Sequence, residues 1–297
     1  TSNSQDGYTI TLGSDLPAIT ESVVINGYSQ PGALANSASG PQPFNGTLLV
    51  QVSGAAANSI DISASNVTVS GLVLTSFNAQ NGAIVVSSGI SNVISGNYIG
   101  VSPAGTSASP NLVGVSVGLG AEGLIGGTSA AARNIISGNT STQLVSLGKA
   151  VIEGNYIGPL KNGSLGPAAT YGVGLYSNDN VVGGIGSSST NLIAGNQTGV
   201  AVVSTLLGIP LGNSILNNQI YANTLAAIDL AADTDFNFIP DADLGLNTND
   251  AGDGDTGSNY YLNSAVITSA SYVGSAVSVE FNLDVADSVT GLYKVEF

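Results

Sequence analysis

Apolar positions along this chain fall in short pieces of three to five residues, rich in Val and Ile and closed by Gly, Asn and Ser. This pattern predicts strands, because no ten-residue window carries the 3.6-residue apolar stripe of an amphipathic helix. The pieces share one order: SNVISGNYIG at 91–100, RNIISGN at 133–139, AVIEGNYIG at 150–158, TNLIAGN at 190–196 and GNSILNN at 212–218. They sit in a longer repeat. GNYIG at 96–100 returns 58 positions on, and IGGTSAAARNIISGN at 125–139 is answered 57 positions on by VGGIGSSSTNLIAGN. Units this short cannot bury an apolar face alone and must stack on their own copies. Divided into two to three turns of about 22 residues, with three short strands and three corners in each, the unit predicts an all-β solenoid, a parallel β-helix.

The Asn that closes each piece (Asn97, Asn139, Asn155, Asn196 and Asn218) is expected at a corner, in a left-handed backbone conformation, with its amide bonded to neighbouring main chain. Stacked along the axis, such residues would form a hydrogen-bonded ladder. The adjacent Gly96, Gly138, Gly154 and Gly195 fit positive φ or close approach between turns. Strand-like runs at 8–12 and 22–26 open the chain, and coils are expected from residue 47. Between them Pro31, Pro41 and Pro43 set a loop over 31–46 that is expected to bulge from the rod, as a binding surface or as plain decoration. Loops 101–112 and 159–170 each follow a GNYIG copy, so one corner is extended twice. They predict either the walls of a shallow groove or two tolerated insertions.

The ISGN, GNYIG and IGG pieces resemble the right-handed parallel β-helix repeats of large bacterial secreted and cell-surface proteins, a fold shared with pectate lyases and related polysaccharide enzymes. The resemblance covers residues 8–262. It implies an N-terminal cap and loop at 1–46, a right-handed β-helix at 47–262 and a C-terminal β segment at 263–297. The three alternating strands of that last segment look like the start of a β-sandwich-like unit. They either cap the final coil or begin a further domain of a longer protein. An extracellular or cell-surface location follows from the same resemblance, which speaks for fold more than for function because its motifs are corners and core.

Composition narrows the chemistry. Four basic residues against nineteen acidic give a formal charge of −15, which disfavours nucleic acid and anionic lipid as partners. Without Cys there are neither disulfides nor thiolate metal sites, and without His the usual proton shuttle and the commonest transition-metal ligand are missing. The absence of an initiating Met predicts a processed or excised chain with no signal peptide or membrane span left within it.

Candidate sites are few. Tyr98, Tyr156, Tyr171 and Tyr176 would form an aromatic track for sugar faces if they point outward, or fill core slots if they point inward, and the retained core Ile beside Tyr98 and Tyr156 favours the inward or partly buried case. Asp241, Asp243, Asp250, Asp253 and Asp255 crowd a Gly-containing loop and make a candidate calcium site, although no closing Glu completes an EF-hand. Outside the acidic stretch 229–255, Asp61, Glu122, Glu153 and Asp179 are the acids of the coil region, and no pair of them is marked as hydrolytic. Arg133, Lys149 and Lys161 are the only candidate lyase bases there, none with an evident basic partner. No catalytic residue is assigned. The expected function is a non-catalytic structural or adhesive module, a stalk or assembly unit that binds polysaccharide or another surface protein. Self-association by end-to-end stacking or strand exchange is a further expectation. The alternative is a polysaccharide-degrading enzyme, a glycoside hydrolase or lyase, on the same scaffold.

Overall fold

The structure is a computed structural model that describes residues 7–40, 42–55, 57–78, 81–205, 208–233, 248–252, 254, 257–274 and 276–285. Among these residues the chain winds into a right-handed parallel β-helix of three long sheets, with eight strands in the first and seven in each of the others. Sheet 1 runs from Tyr8–Thr11 through Tyr98–Ile99 and Tyr156–Ile157 to Gln219–Tyr221. Sheet 2 runs from Ile60–Ile62 to Ala226–Asp233, and sheet 3 from Val24–Asn26 to Ser214–Leu216. Each coil visits sheet 3, then 1, then 2. A strand spacing of about 4.8 Å sets eight strands along roughly 34 Å of axis.

Register is what makes the core. Leu74, Ile99, Ile136, Ile157, Ile193 and Ile220 pair in one column of sheet 1. Val69, Ile94, Ile125, Ile152, Val182 and Ile215 do the same in sheet 3. With Ile84, Val115, Leu144, Val173 and Val200 of sheet 2, these side chains fill the interior, most of them without any exposed surface. A one-residue slip would turn every column outward, so the alternation fixes the register.

The repeat holds two unequal coils. Successive corner Asn residues are separated by 37, 21, 36 and 27 positions, which departs from evenly sized turns of about 22 residues. The long coils carry the insertions 101–112 and 159–170 and the one-turn 3-10 helices Ala130–Ala132 and Ser187–Ser189. The strands Tyr8–Thr11 and Val24–Asn26 already belong to sheets 1 and 3, and Ile19 bridges to Ile62, so the first coil lies inside residues 1–46. Beyond the coils, Val266–Val273 and Ala276–Asn282 pair as an antiparallel hairpin with Tyr272 and Val273 exposed.

The five expected corner Asn residues all fall on bends, but in two columns. Asn97, Asn134, Asn155, Asn191 and Asn218 stack between sheets 3 and 1, each amide donating to the next at 3.2, 2.9, 3.1 and 2.9 Å. Asn139 and Asn196 belong to the corner between sheets 1 and 2, with Asn111 and Asn223. That second column is interrupted at the 159–170 insertion. Gln143 Oε1 accepts from Asn139 Nδ2 at 2.6 Å, while the buried Asn196 Oδ1 has no donor among the described residues. The backbone differs from expectation as well. Positive φ belongs to the residue before each of the five expected Asn, Gly96, Gly138, Gly154, Gly195 or Asn217, and the Asn itself only bonds. Gly relieves the steric penalty of that conformation, freeing the next position for an amide.

Candidate functional site

The outer face of sheet 1 carries a second apolar column: Val73, Tyr98, Ile135, Tyr156 and Leu192 pair in register, one residue out of phase with the core column. Strand alternation points these side chains away from the interior. They are nevertheless buried, under a cover built from 31–46 and the two corner insertions. The described residues of this segment, 31–40 and 42–46, do not bulge. They lie along the rod as a strap, with Phe44 packed edge-on to Tyr98 at 5.2 Å, Phe44 N–H donating to the Lys161 carbonyl at 3.1 Å and Asn36 Nδ2 to the Ala130 carbonyl at 2.8 Å. Apolar side chains left outside the coil need such a cover, and Phe44 and Leu48 supply it.

Tyr98 and Tyr156 point outward from the coil and are buried beneath the cover, with 0% and 3% exposure. Tyr171 is equally buried, and Tyr176 is half-buried beside it over Ala201, Val203 and Ala231 on the outside of sheet 2. Gly174 makes room there, since a Cβ would lie 3.1 Å from Tyr176 and 3.4 Å from Tyr171. Burial pushes Tyr28 up to about 12 and Tyr98 higher still. Tyr28 donates its hydroxyl to the Gly96 carbonyl at 2.6 Å.

The two insertions do not stand apart as groove walls. Each closes on itself through the bridges Val101–Ala108 and Pro159–Leu165, and Lys161 N–H donates to the Gly105 carbonyl at 2.9 Å across them. Lys161 Nζ ties the strap, donating to the Gly46 carbonyl at 2.8 Å, and burial holds it below the ordinary lysine range. That amine is a clamp.

An open cleft of about 340 Å3 lies instead beside the corner between sheets 3 and 1, bounded by the strap at Ser39–Gly40 and by both 3-10 turns. Hydroxyls and amides line it, including Thr128, Ser188, Thr190 and Gln219. Arg133 and Tyr156 form its inner wall. The guanidinium lies 4.7 Å from the centre of the Tyr156 ring, Nε donates to the Gly154 carbonyl at 3.2 Å and Nη1 to the Ala38 carbonyl at 3.1 Å. Burial lowers the Arg133 pKa, opposed by the Tyr156 phenol; burial raises that of Tyr156, with Arg133 pulling the other way and Tyr221 adding to the rise. Tyr156 donates its hydroxyl to the Gln42 carbonyl at 2.5 Å.

The acids of the coil region are dispersed. Asp61 accepts from Ser87 Oγ at 2.5 Å on sheet 2, Glu122 opens a strand of sheet 3 opposite Lys149, Glu153 ends another, and Asp179 sits at φ +59 in the corner between sheets 2 and 3. Burial raises Glu153 above the usual carboxylate range. Of the candidate calcium ligands only Asp250 is among the described residues; Asp241, Asp243, Asp253 and Asp255 lie outside them. Asp250 accepts from Gly254 N–H at 3.2 Å, donates its own N–H to Asn263 Oδ1 at 3.0 Å and keeps Oδ1 buried without a donor among the described residues. Among the described residues no three His, Cys, Asp or Glu side chains cluster as metal ligands.

The motif pattern missed the cleft because its residues are separated by whole coils. One signal was present: position 133 is Arg where its 57-residue counterpart, 190, is Thr. No protein-family model, curated protein or solved structure matches this chain.

Proposed function

We propose that the chain is a rigid, non-catalytic structural and adhesive module of an extracellular or cell-surface protein, and that it holds polysaccharide along its strap-bearing side. The observation that carries this reading is the Asn column, buried at four of its five members, which joins five successive corners through their side chains. It ties each coil to the next where no strand does so, and a rod braced at its corners resists bending and local opening. The resemblance to secreted β-helix proteins of the pectate-lyase-like kind supports the setting. The hydroxyl- and amide-lined cleft supports the glycan, because small polar groups match a sugar's hydroxyls.

The deciding experiment is a panel of insoluble and soluble polysaccharides, read both for retention of the protein and for release of reducing ends. Retention without release is expected. Release above the level of heat-unfolded protein would overturn the non-catalytic reading in favour of a polysaccharide-degrading enzyme, hydrolase or lyase. A structural calcium in the acidic segment 241–255 belongs to the same proposal, on the crowding of oxygen ligands there.

A further inference from the structure

The cleft contains a cation that its corner does not require. Arg133 and Thr190 occupy the same place in successive long coils. Each ends a one-turn 3-10 helix at φ −58 and ψ 120, and each is followed by an Asn of the buried column. With Thr the corner closes just as well. Yet at 133 the chain places one of its four basic residues and buries it to 7% exposure.

Arg133 is poorly neutralised there. Its two hydrogen bonds are to backbone carbonyls, leaving three of the five guanidinium N–H donors, and among the described residues no carboxylate pairs with it. A buried charge is costly unless a counter-charge meets it. The Tyr156 ring holds the guanidinium plane on one side, and the cleft with its hydroxyls opens beside it.

We propose that the cleft binds a single carboxylate or sulfate group borne on a hydroxyl-rich ligand, an acidic sugar, with Arg133 as the anion's partner. Thr128, Ser188, Thr190 and Gln219 then take the ligand's hydroxyls. Two oxygens of a carboxylate or of a sulfate group suit the guanidinium fork, and the burial of Arg133 strengthens the pair. This inference rests on the glycan-binding reading above and narrows it to charged saccharides at one site.

The test is calorimetric titration of the whole chain with three disaccharides of equal length, one carrying glucuronate, one carrying sulfate and one neutral. Wild type is expected to bind at least one acidic disaccharide ~10-fold or more tighter than the neutral one, in line with a charged hydrogen bond. That preference should shrink with added salt. Arg133→Thr copies the molecule's own repeat and should fold, giving the wild-type circular dichroism while losing the preference. The carboxylate and sulfate arms show which oxyanion is taken. Equal binding of neutral and acidic disaccharides by wild type, or an undiminished preference in Arg133→Thr, would overturn the proposal, and the first result stands even if the variant does not fold. Retention of neutral polysaccharide alongside either result would sink this inference alone, whereas no binding of any saccharide would sink both.

Discussion

Asn155 shows how much one side chain does in this molecule. Its Oδ1 accepts from Asn134 Nδ2 at 2.9 Å, and its Nδ2 donates to the Ile125 carbonyl at 2.8 Å and to Asn191 Oδ1 at 3.1 Å. All three partners are buried, and although Asn191 Oδ1 keeps the Asn155 backbone N–H at 2.9 Å, removing the amide strands the other two where water cannot reach them. Asn155→Ala is expected to cost ~2–5 kcal/mol in a urea unfolding experiment, from about 1–3 kcal/mol for each orphaned group. A loss under ~0.5 kcal/mol would mean that water replaces the amide, contrary to this account. Gly158 makes the complementary case: at φ +101 an added Cβ would sit 1.9 Å from the Ala194 carbonyl oxygen, so Gly158→Ala must move one coil against the next. The expected cost is ~1–3 kcal/mol, read in the same way. The Asn-Gly pairs were visible in the string; their assignment to two columns was not. SGN at 95–97 leaves sheet 3 and SGN at 137–139 leaves sheet 1, because any strand of a three-sided coil ends in the same local demand.

The strap is the element that the chain's pattern concealed. Pro, Gly and Ser over 31–46 read as a loop, and Phe44, the apolar residue within it that packs on the outer column, with Leu48 just beyond, is too little to announce a surface. Phe44→Ala is expected to destabilise by ~3–5 kcal/mol, as for other buried aromatic truncations. It should also quicken proteolysis within 31–46, a readout that distinguishes a cover from decoration. Tyr28 gives the strap face a pH signature. Its folded pKa of about 12 lies above the ordinary phenol value of 10.0 because burial disfavours the phenolate. Its contribution to stability is therefore complete below pH 10 and is lost as pH rises toward 12, where the unfolded chain has released a proton that the folded chain retains. Denaturant midpoints should fall over that interval. Tyr28→Phe should flatten the fall, and an unchanged slope would show that the proton is not held by this group.

At the scale of the whole molecule, neighbouring coils complete one another's hydrogen bonding, so stability is shared along the axis and each end is the weak place. At the C-terminal end Asn249 and Ser264 bond each other three times, at 2.7, 2.8 and 3.0 Å, and Asp250 bonds Asn263, drawing residues 249–250 onto 263–264. If the acidic segment 241–255 collects calcium, the ion neutralises this end. Adding calcium should then raise Tm and excess chelator lower it by several degrees, about what 1–2 kcal/mol does in a chain of this size. A titration without heat and a melting curve indifferent to chelator would remove calcium from the account.

The order of Val, Ile, Gly and Asn by itself determined the coil, its inward columns and its corners, because period-two burial and left-handed bends are local demands that a single chain writes in order. It also determined the charge balance and the absence of thiol and imidazole chemistry. Only the tertiary structure decided which corner each Asn serves, that outward-pointing Tyr98 and Tyr156 are roofed, and that Arg133 faces a cleft. Those facts join residues as far apart as Ala38 and Arg133, or Gln42 and Tyr156. No local pattern encodes such meetings, since they depend on how many coils separate two segments and on where an insertion folds back across them.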